Sequence, residues 1–259
     1  MIDFFTYSLT QVFGFSLVLI RISGLCVVAP FFGGEQVPRQ IRVLLALAMS
    51  FVIFPALALN IQALPSEPLS YLIIVAKELA IGLLIGFLVT AIFFGFQLGG
   101  RFISIHMGLS MARMLDPFSS DRTSAIGQIL ALLTLTIFLI INGHHLILRA
   151  LYDSFDKIPV LQVSFHEGIF NHAIEMFNIV IRTSIRVAAP TMAALFAINI
   201  IFGFIARLIP RMNVFILSLP AKIGVGVIIV TIALPAIVNL FLRVINSVFR
   251  DIYMILNAF

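Results

Sequence analysis

Residues Tyr71–Leu98 read YLIIVAKELAIGLLIGFLVTAIFFGFQL, a run of apolar side chains interrupted by one adjacent pair of charges. About 20 apolar residues in a helix cross the hydrocarbon core of a bilayer. This run is longer, so it predicts a membrane helix that tilts, kinks or projects beyond the bilayer. Gly82 with Gly86, and Gly95 with Gly99, place small residues four positions apart. That spacing predicts that neighbouring helices pack closely against this one.

Further apolar runs lie on both sides of this segment. They are Val12–Phe32, Val43–Leu59, Ile126–Leu148, Ala173–Ile205 and Val214–Leu242. After Arg243, apolar residues recur at helical spacing and predict a C-terminal amphipathic helix lying on a surface. The predicted fold is therefore all-α: an integral membrane protein of about six long apolar helices plus a C-terminal amphipathic helix. We expect one domain over residues 1–259, since no linker separates a soluble part.

The composition agrees with a membrane location. Hydrophobic residues make up 61% of the 259 residues and charged residues only 10%. A soluble domain has about a quarter of its residues charged, so these few charges could not cover a water-facing surface. Lipid or partner proteins are expected to cover the surface instead. The net charge is +5, but the basic residues are scattered singly, which argues against nucleic acid as a partner.

Several charged residues interrupt the apolar runs. They are Arg21, Lys77, Glu78, Arg182, Arg186 and Lys222. A charge in hydrocarbon costs several kcal/mol unless it meets a partner, a backbone carbonyl or water. The chain offers one clear intramembrane acid, Glu78, which predicts that partner subunits or a wet channel supply the missing counter-charges. Snorkelling of arginines near the ends of a run to the interface is the alternative.

No catalytic or metal-binding pattern is present in the sequence. It lacks H-E-x-x-H, G-x-S-x-G, P-loop and dinucleotide-binding motifs. His144 and His145 are adjacent and follow a glycine, which favours an interfacial or capping role over ligation. We therefore expect no enzymatic activity, no metal and no cofactor. A small secondary transporter or permease stays open as an alternative, although such proteins favour several buried carboxylates.

The segment Gly99–Gln128 differs from an ordinary polar loop. Met107, Met111 and Met114 lie at helical spacing, among glycine and aliphatic residues, before an Asp-Pro break. Methionine side chains adapt to changing surfaces, and glycine permits backbone rearrangement. This combination suits a plug or gasket that seals a pore and yields when cargo passes. A re-entrant or interfacial helix packed in the core is the alternative.

Four motifs in register resemble one known family. They are Met107-Gly108-Leu109-Ser110 with Ala112 and Asp116-Pro117; Asn142-Gly143-His144; Arg207 and Pro210 with Asn213-Val214-Phe215-Ile216-Leu217-Ser218-Leu219-Pro220; and Ala29-Pro30-Phe31-Phe32 with Val37-Pro38, Arg39 and Arg42. The chain thereby resembles the FliR family, the SctT-type component of the type III secretion export apparatus. The resemblance extends over essentially the whole length.

That resemblance implies a function, a location and partners. FliR-like proteins join FliP-like and FliQ-like subunits in a helical export gate for unfolded substrates, with an FlhB-like subunit near its entrance. The gate lies in the bacterial inner membrane at the flagellar basal body, in contact with lipid. The family's helices form inclined hairpins. Residues 1–125 correspond to a FliP-like part, and residues 126–259 contain the remaining helices and end in a FliQ-like hairpin.

The resemblance also implies which residues seal the pore. The family's plug loop corresponds to residues 106–118. The plug or gasket residues are His106, Met107, Gly108, Met111, Ala112, Met114, Leu115, Asp116, Pro117 and Phe118. The six intramembrane charges are expected to make inter-subunit contacts. His106 departs from the family, in which glutamine often precedes the Met-Gly pair.

Overall fold

The computed structural model describes residues 2–33, 37–57, 68–109, 124–160, 168–209 and 213–258. Its helices are α1 (Ile2–Val28), α2 (Pro30–Gly33), α3 (Arg39–Ala56), α4 (Pro68–His106), α5 (Ala125–Ile140), α6 (Gly143–Lys157), α7 (Gly168–Leu208) and α8 (Val214–Ala258). Within these ranges there is no strand. The prediction of an all-α protein is confirmed.

Long apolar helices dominate the described chain. Five are long and apolar enough to cross a membrane: Thr10–Val28, Arg39–Ala56, Pro68–His106, Ile174–Leu208 and Ile216–Leu256. The pair α5 and α6 qualifies as a sixth span only if the two are taken together. The prediction of about six apolar helices is therefore confirmed, and α4 extends beyond the opening run at both ends.

The fourth apolar run, which hydropathy predicted as one membrane helix, consists of two helices, α5 and α6. α5 and α6 are bent by 70° at a short break. Asn142 lies in this break with φ 56° and ψ 33°, the left-handed region. Asparagine adopts this region more readily than other residues with a side chain, because its short polar side chain bonds locally. The Asn-Gly-His motif thus marks a sharp turn between two helices.

The C-terminal amphipathic segment also differs from its prediction. It continues α8 to Ala258 without a break, instead of forming a separate helix on a surface. Its apolar face is buried: Val248 and Ile252 are 0% exposed, and Ile255 and Leu256 are 2% exposed. The helical spacing of these residues is confirmed, and burial of that face removes the need for a lipid surface to cover it.

The chain divides into two compact units. The first comprises residues 1–90, 141–175 and 247–259, and the second comprises residues 91–140 and 176–246. Each unit draws on segments distant in sequence. The division into a FliP-like part at 1–125 and a remainder at 126–259 stays a prediction.

In the first unit, α1 and α4 cross with their backbones in contact. A methyl group built on Gly24 would lie 2.8 Å from the carbonyl oxygen of Leu79, and one built on Gly82 would overlap the carbonyl oxygen of Arg21. One turn further along α4, a methyl group on Gly86 would lie 3.1 Å from Leu25 O. The close packing predicted from the first glycine pair is confirmed.

In the second unit, the other glycine pair brings α4 against α7. A methyl group on Gly99 would lie 2.9 Å from the carbonyl oxygen of Ser184, and one on Gly95 would lie 3.2 Å from Thr183 Cβ. Three aromatic contacts fill the core beside this crossing. They are Phe93–Phe138 at 5.4 Å, Phe93–Phe241 at 5.9 Å and Phe96–Phe241 at 5.4 Å between ring centroids. Edge-to-face rings of this kind stabilise a core beyond the area they bury.

Candidate functional site

The first unit contains a fully buried ion pair. Arg21 on α1 donates from Nε to Oε2 of Glu78 on α4 over 2.7 Å, and both side chains are 0% exposed. Both residues were predicted from the sequence as intramembrane charges. A charge-assisted hydrogen bond of this length is among the stronger polar contacts in a protein.

The rest of the Arg21 guanidinium binds the C-terminal end of α6. Nη1 donates to the carbonyl oxygen of Ser154 over 2.9 Å, and Nη2 donates to that of Ile158 over 3.1 Å. The guanidinium carbon also lies 4.2 Å from the centroid of the Phe155 ring. Carbonyl groups at a helix C-terminus lack amide partners and carry partial negative charge, so a cation is favoured there. Arg21 therefore joins α1, α4 and α6.

This cluster gives Arg21 and Glu78 partners inside the chain. Glu78 Oε1 is buried and accepts no hydrogen bond from any residue that the structure describes. A buried carboxylate with one unsatisfied oxygen depends strongly on Arg21, which pairs with the other oxygen. The predicted inter-subunit role of the six charges stays a prediction.

The two arginines of α7 are placed differently. Arg182 and Arg186 are both exposed, and neither makes a hydrogen bond or ion pair within the described ranges. They are four residues apart and so share one face of the helix. Lys222 on α8 and Lys77 on α4 are half-buried. Arg182 and Arg186 thus present positive charge on the outside of an apolar helix.

The start of the predicted plug segment is described, and its remainder is not. His106 ends α4 and is exposed, with Nδ1 2.9 Å from the carbonyl oxygen of Phe102. Met107 is 0% exposed, and Gly108 has φ +80°. Seven predicted plug residues lie outside the described residues: Met111, Ala112, Met114, Leu115, Asp116, Pro117 and Phe118.

Two serines on either side of the predicted plug segment meet in the second unit. Ser124, immediately before α5, donates from Oγ to Ser104 Oγ over 2.6 Å, and both serines are buried. The amide of Gly127 donates to Ser124 Oγ over 3.1 Å, so Ser124 caps α5. Close by, a methyl group built on Gly100 would lie 2.6 Å from Gly127 Cα. Leu109 and Ser124 therefore both lie next to Ser104, and each forms a hydrogen bond with it.

No sequence pattern predicted the residues that complete the Arg21–Glu78 cluster and the contact between Ser104 and Ser124. Ser154 and Ile158 act through backbone carbonyl groups, which every residue possesses, so no sequence pattern marks them. Ser104 and Ser124 are ordinary helix-end serines in the sequence. Gly226, which contacts Met107, lies in a glycine-containing apolar run that carries no distinctive pattern. The small-residue spacing on α4 was the one signal that located close contacts.

The long apolar helices define the class: an all-α protein in which five of the described helices are long and apolar enough to cross a membrane. The family model for "Bacterial export proteins, family 1" matches residues 12–248 of the chain. The chain therefore belongs to this family of bacterial export proteins, as the sequence resemblance predicted.

Three relatives align with most of the length of this chain. The chain is 33% identical over 228 residues to the flagellar biosynthetic protein FliR of Bacillus subtilis strain 168, and the match covers 86% of each protein. It is 25% identical over 232 residues to the protein of the same name from Escherichia coli K12, covering 90% of this chain and 88% of that one. The protein of the same name from Aquifex aeolicus is 28% identical over 226 residues, with 85% of each covered.

Proposed function

We propose that this chain is a subunit of the type III export gate, where it helps to form and seal the pore for flagellar protein export. The observation that carries this proposal is the family match over residues 12–248. The relatives named flagellar biosynthetic protein FliR support the flagellar assignment. In this role the chain binds and conducts unfolded substrates without catalysing a reaction, in the bacterial inner membrane at the flagellar basal body.

The charges of α7 support assembly with other subunits. Arg182 and Arg186 are exposed on a helix whose apolar part extends from Ile174 to Leu208. Contact with hydrocarbon would leave two positive charges uncompensated at a cost of several kcal/mol each. Acidic or carbonyl groups of neighbouring subunits would remove that cost. We propose FliP-like, FliQ-like and FlhB-like subunits as these neighbours, with lipid covering the apolar remainder.

Native mass spectrometry of the tagged chain, extracted gently from its own membranes, tests this proposal. We expect one copy of the chain within a large complex of small helical membrane proteins. An Arg182→Gln, Arg186→Gln double variant should lose part of that complex, because two charged contacts are removed. The matched control is Gly203→Ala on the same helix, where a built methyl group meets nothing within 4 Å. A lone chain or homodimer that moves a solute by itself in liposomes would instead establish a transporter.

The sealing role predicts a leak when the middle of the plug segment is removed. Deleting Met111–Leu115 should leave the assembled complex intact and let ions and small molecules cross the membrane. The reason is that Ser104 and Ser124, which lie on either side of the plug segment, remain bonded to each other, while Met111, Met114 and Leu115 are removed from the seal. Uptake of a small membrane-impermeant dye by cells that express the complete assembly measures the effect. An unchanged barrier in this variant would refute the plug.

A further inference from the structure

Large apolar side chains are exposed on the outward side of α7 in the second unit. The inward side of this helix packs against α4, where a methyl group built on Gly99 would lie 2.9 Å from the carbonyl oxygen of Ser184. Leu195, also on the inward side, is 0% exposed. On the outward side, Ile185 is 55% exposed and Phe196 is 65% exposed. An exposed apolar surface of this kind is typical of a contact with another protein or with lipid.

Arg182 and Arg186 lie on this outward side. Both are exposed, and neither forms a hydrogen bond or ion pair in the part of the chain that the structure describes. Their Cβ atoms are about 5–6 Å apart, because they are separated by one helical turn. A guanidinium group pairs best with its own carboxylate, through two parallel hydrogen bonds. The pair therefore predicts two carboxylates at the same spacing.

Two carboxylates at this spacing fit the surface of a single helix. Side chains three or four positions apart on a helix lie about 5–6 Å from each other on one face, as the two arginines themselves do. One acidic helix lying along α7 would therefore meet both guanidinium groups at once. The charges thus favour one neighbouring helix over two unconnected partners.

Three alanines continue the face of α7 that carries the two arginines. Ala189, Ala193 and Ala197 are exposed. At about 100° per residue, all five positions fall within about 80° of one another around the helix axis. Small residues at a spacing of four allow the backbones of two helices to approach closely. Lipid chains gain nothing from such a surface, so the alanines favour a protein helix as the occupant.

We infer that this docking face, which consists of Arg182, Arg186, Ala189, Ala193 and Ala197, binds one helix of a neighbouring subunit. That helix carries two carboxylates one turn apart opposite the arginines, and it lies close to the α7 backbone at the alanines. The inference rests on the proposed assembly into an export gate. It adds the chemistry and the secondary structure of the neighbour that contacts α7.

Native mass spectrometry of the complete assembly tests the charged part of the docking face. Arg182→Glu with Arg186→Glu should lower the amount of one particular subunit in the complex at least about tenfold, because each attractive contact becomes repulsive. Arg182→Lys with Arg186→Lys is the matched control, since it keeps both charges, and it should lose much less. A glutamate variant that keeps every protein subunit but binds less phospholipid would show that lipid headgroups occupy the pair, and would overturn the inference.

Enlarging Ala193 tests the close approach of the two helices. Ala193→Leu should release the same subunit as the glutamate variant, because a larger side chain holds the backbones apart. Ala193→Ser keeps a small side chain and should retain the subunit. Asn199→Leu makes a matched change at an exposed position about 120° further round the helix and should also retain it. Release of a different subunit by Ala193→Leu, or of none, would overturn the single-helix contact.

The released subunit must itself carry the predicted acids. One of its helices should contain two Asp or Glu residues three or four positions apart. Changing that acidic pair to arginines should restore assembly with the Arg182→Glu, Arg186→Glu variant and should prevent assembly with the parent chain. Absence of such a pair, or failure of the exchanged charges to restore the complex, would refute the inference.

The parent chain keeps this inference distinguishable from the proposed function. If the parent chain is extracted as a lone chain or homodimer, the proposed assembly is wrong. If the parent assembles, and the glutamate and Ala193→Leu variants keep every subunit as well, the assembly stands and only the docking face is wrong.

Discussion

Replacing Arg21 with methionine is expected to destabilise the folded chain by about 3–5 kcal/mol, the cost of leaving a buried charge without its partner. Glu78 would keep its carboxylate at 0% exposure with Oε2 unpaired, in addition to Oε1, which no described residue satisfies. The carbonyl groups of Ser154 and Ile158 would lose their donor as well. The thermal midpoint of the purified assembly in detergent, and the amount of the chain in membranes, measure the loss.

The double variant Arg21→Met, Glu78→Leu is the control for this prediction. Replacing a buried ion pair with apolar side chains of similar size is often neutral, so it should recover much of the midpoint. Arg21→Lys should recover less, because an ammonium cannot reach Glu78, Ser154 and Ile158 with the planar fork of a guanidinium. An Arg21→Met variant as stable as the parent would show that the pair contributes nothing to the fold.

Substituting valine for Gly82 is expected to separate α1 from α4. The added Cβ would overlap the carbonyl oxygen of Arg21 and lie 3.1 Å from the amide nitrogen of Leu25, both backbone atoms that cannot rotate away. Overpacking of a full contact costs about 1–3 kcal/mol and sometimes more. The crossing also carries Arg21 itself, so the ion pair with Glu78 should weaken with it. We expect a lower thermal midpoint and reduced membrane levels.

Gly203→Val on α7 isolates the packing effect. A Cβ there meets no atom within 4 Å, and the residue is exposed. Valine is intrinsically no worse than glycine in a helix, so this variant should match the parent. Equal midpoints for the two substitutions would mean that the α1–α4 crossing tolerates a wider separation than the structure shows.

Much of the architecture could be predicted from local pattern. The apolar run at residues 71–98 forms the central part of α4. The glycine pairs predicted from its sequence lie at two close helix crossings. Hydropathy and small-residue spacing are properties of neighbouring residues, so a single chain displays them. The break at Asn142 escaped hydropathy because it changes direction without changing polarity.

The hydrogen-bond partners of the charged residues could not be predicted without the tertiary structure. Arg21 and Glu78 were recognisable as intramembrane charges, but they are 57 positions apart, and Ser154 lies 133 positions from Arg21. The missing counter-charges therefore pointed to other subunits, although for Arg21 the chain supplies an acid and two carbonyl groups itself. Arg182 and Arg186, exposed on α7, are where the expectation of outside partners still applies.

The all-α class, the long apolar helices and the family could all be predicted before the fold was known. These follow from apolar length, helical spacing and short motifs, all carried by residues close together in the chain. The burial of Met107 against Gly226 and the hydrogen bond between Ser104 and Ser124 could not be predicted in this way. Burial and hydrogen-bond partners depend on which distant segments of the chain pack together. The sequence pattern does not distinguish Met107 from Met111. The contact with Gly226 on α8 is what shows that Met107 is buried.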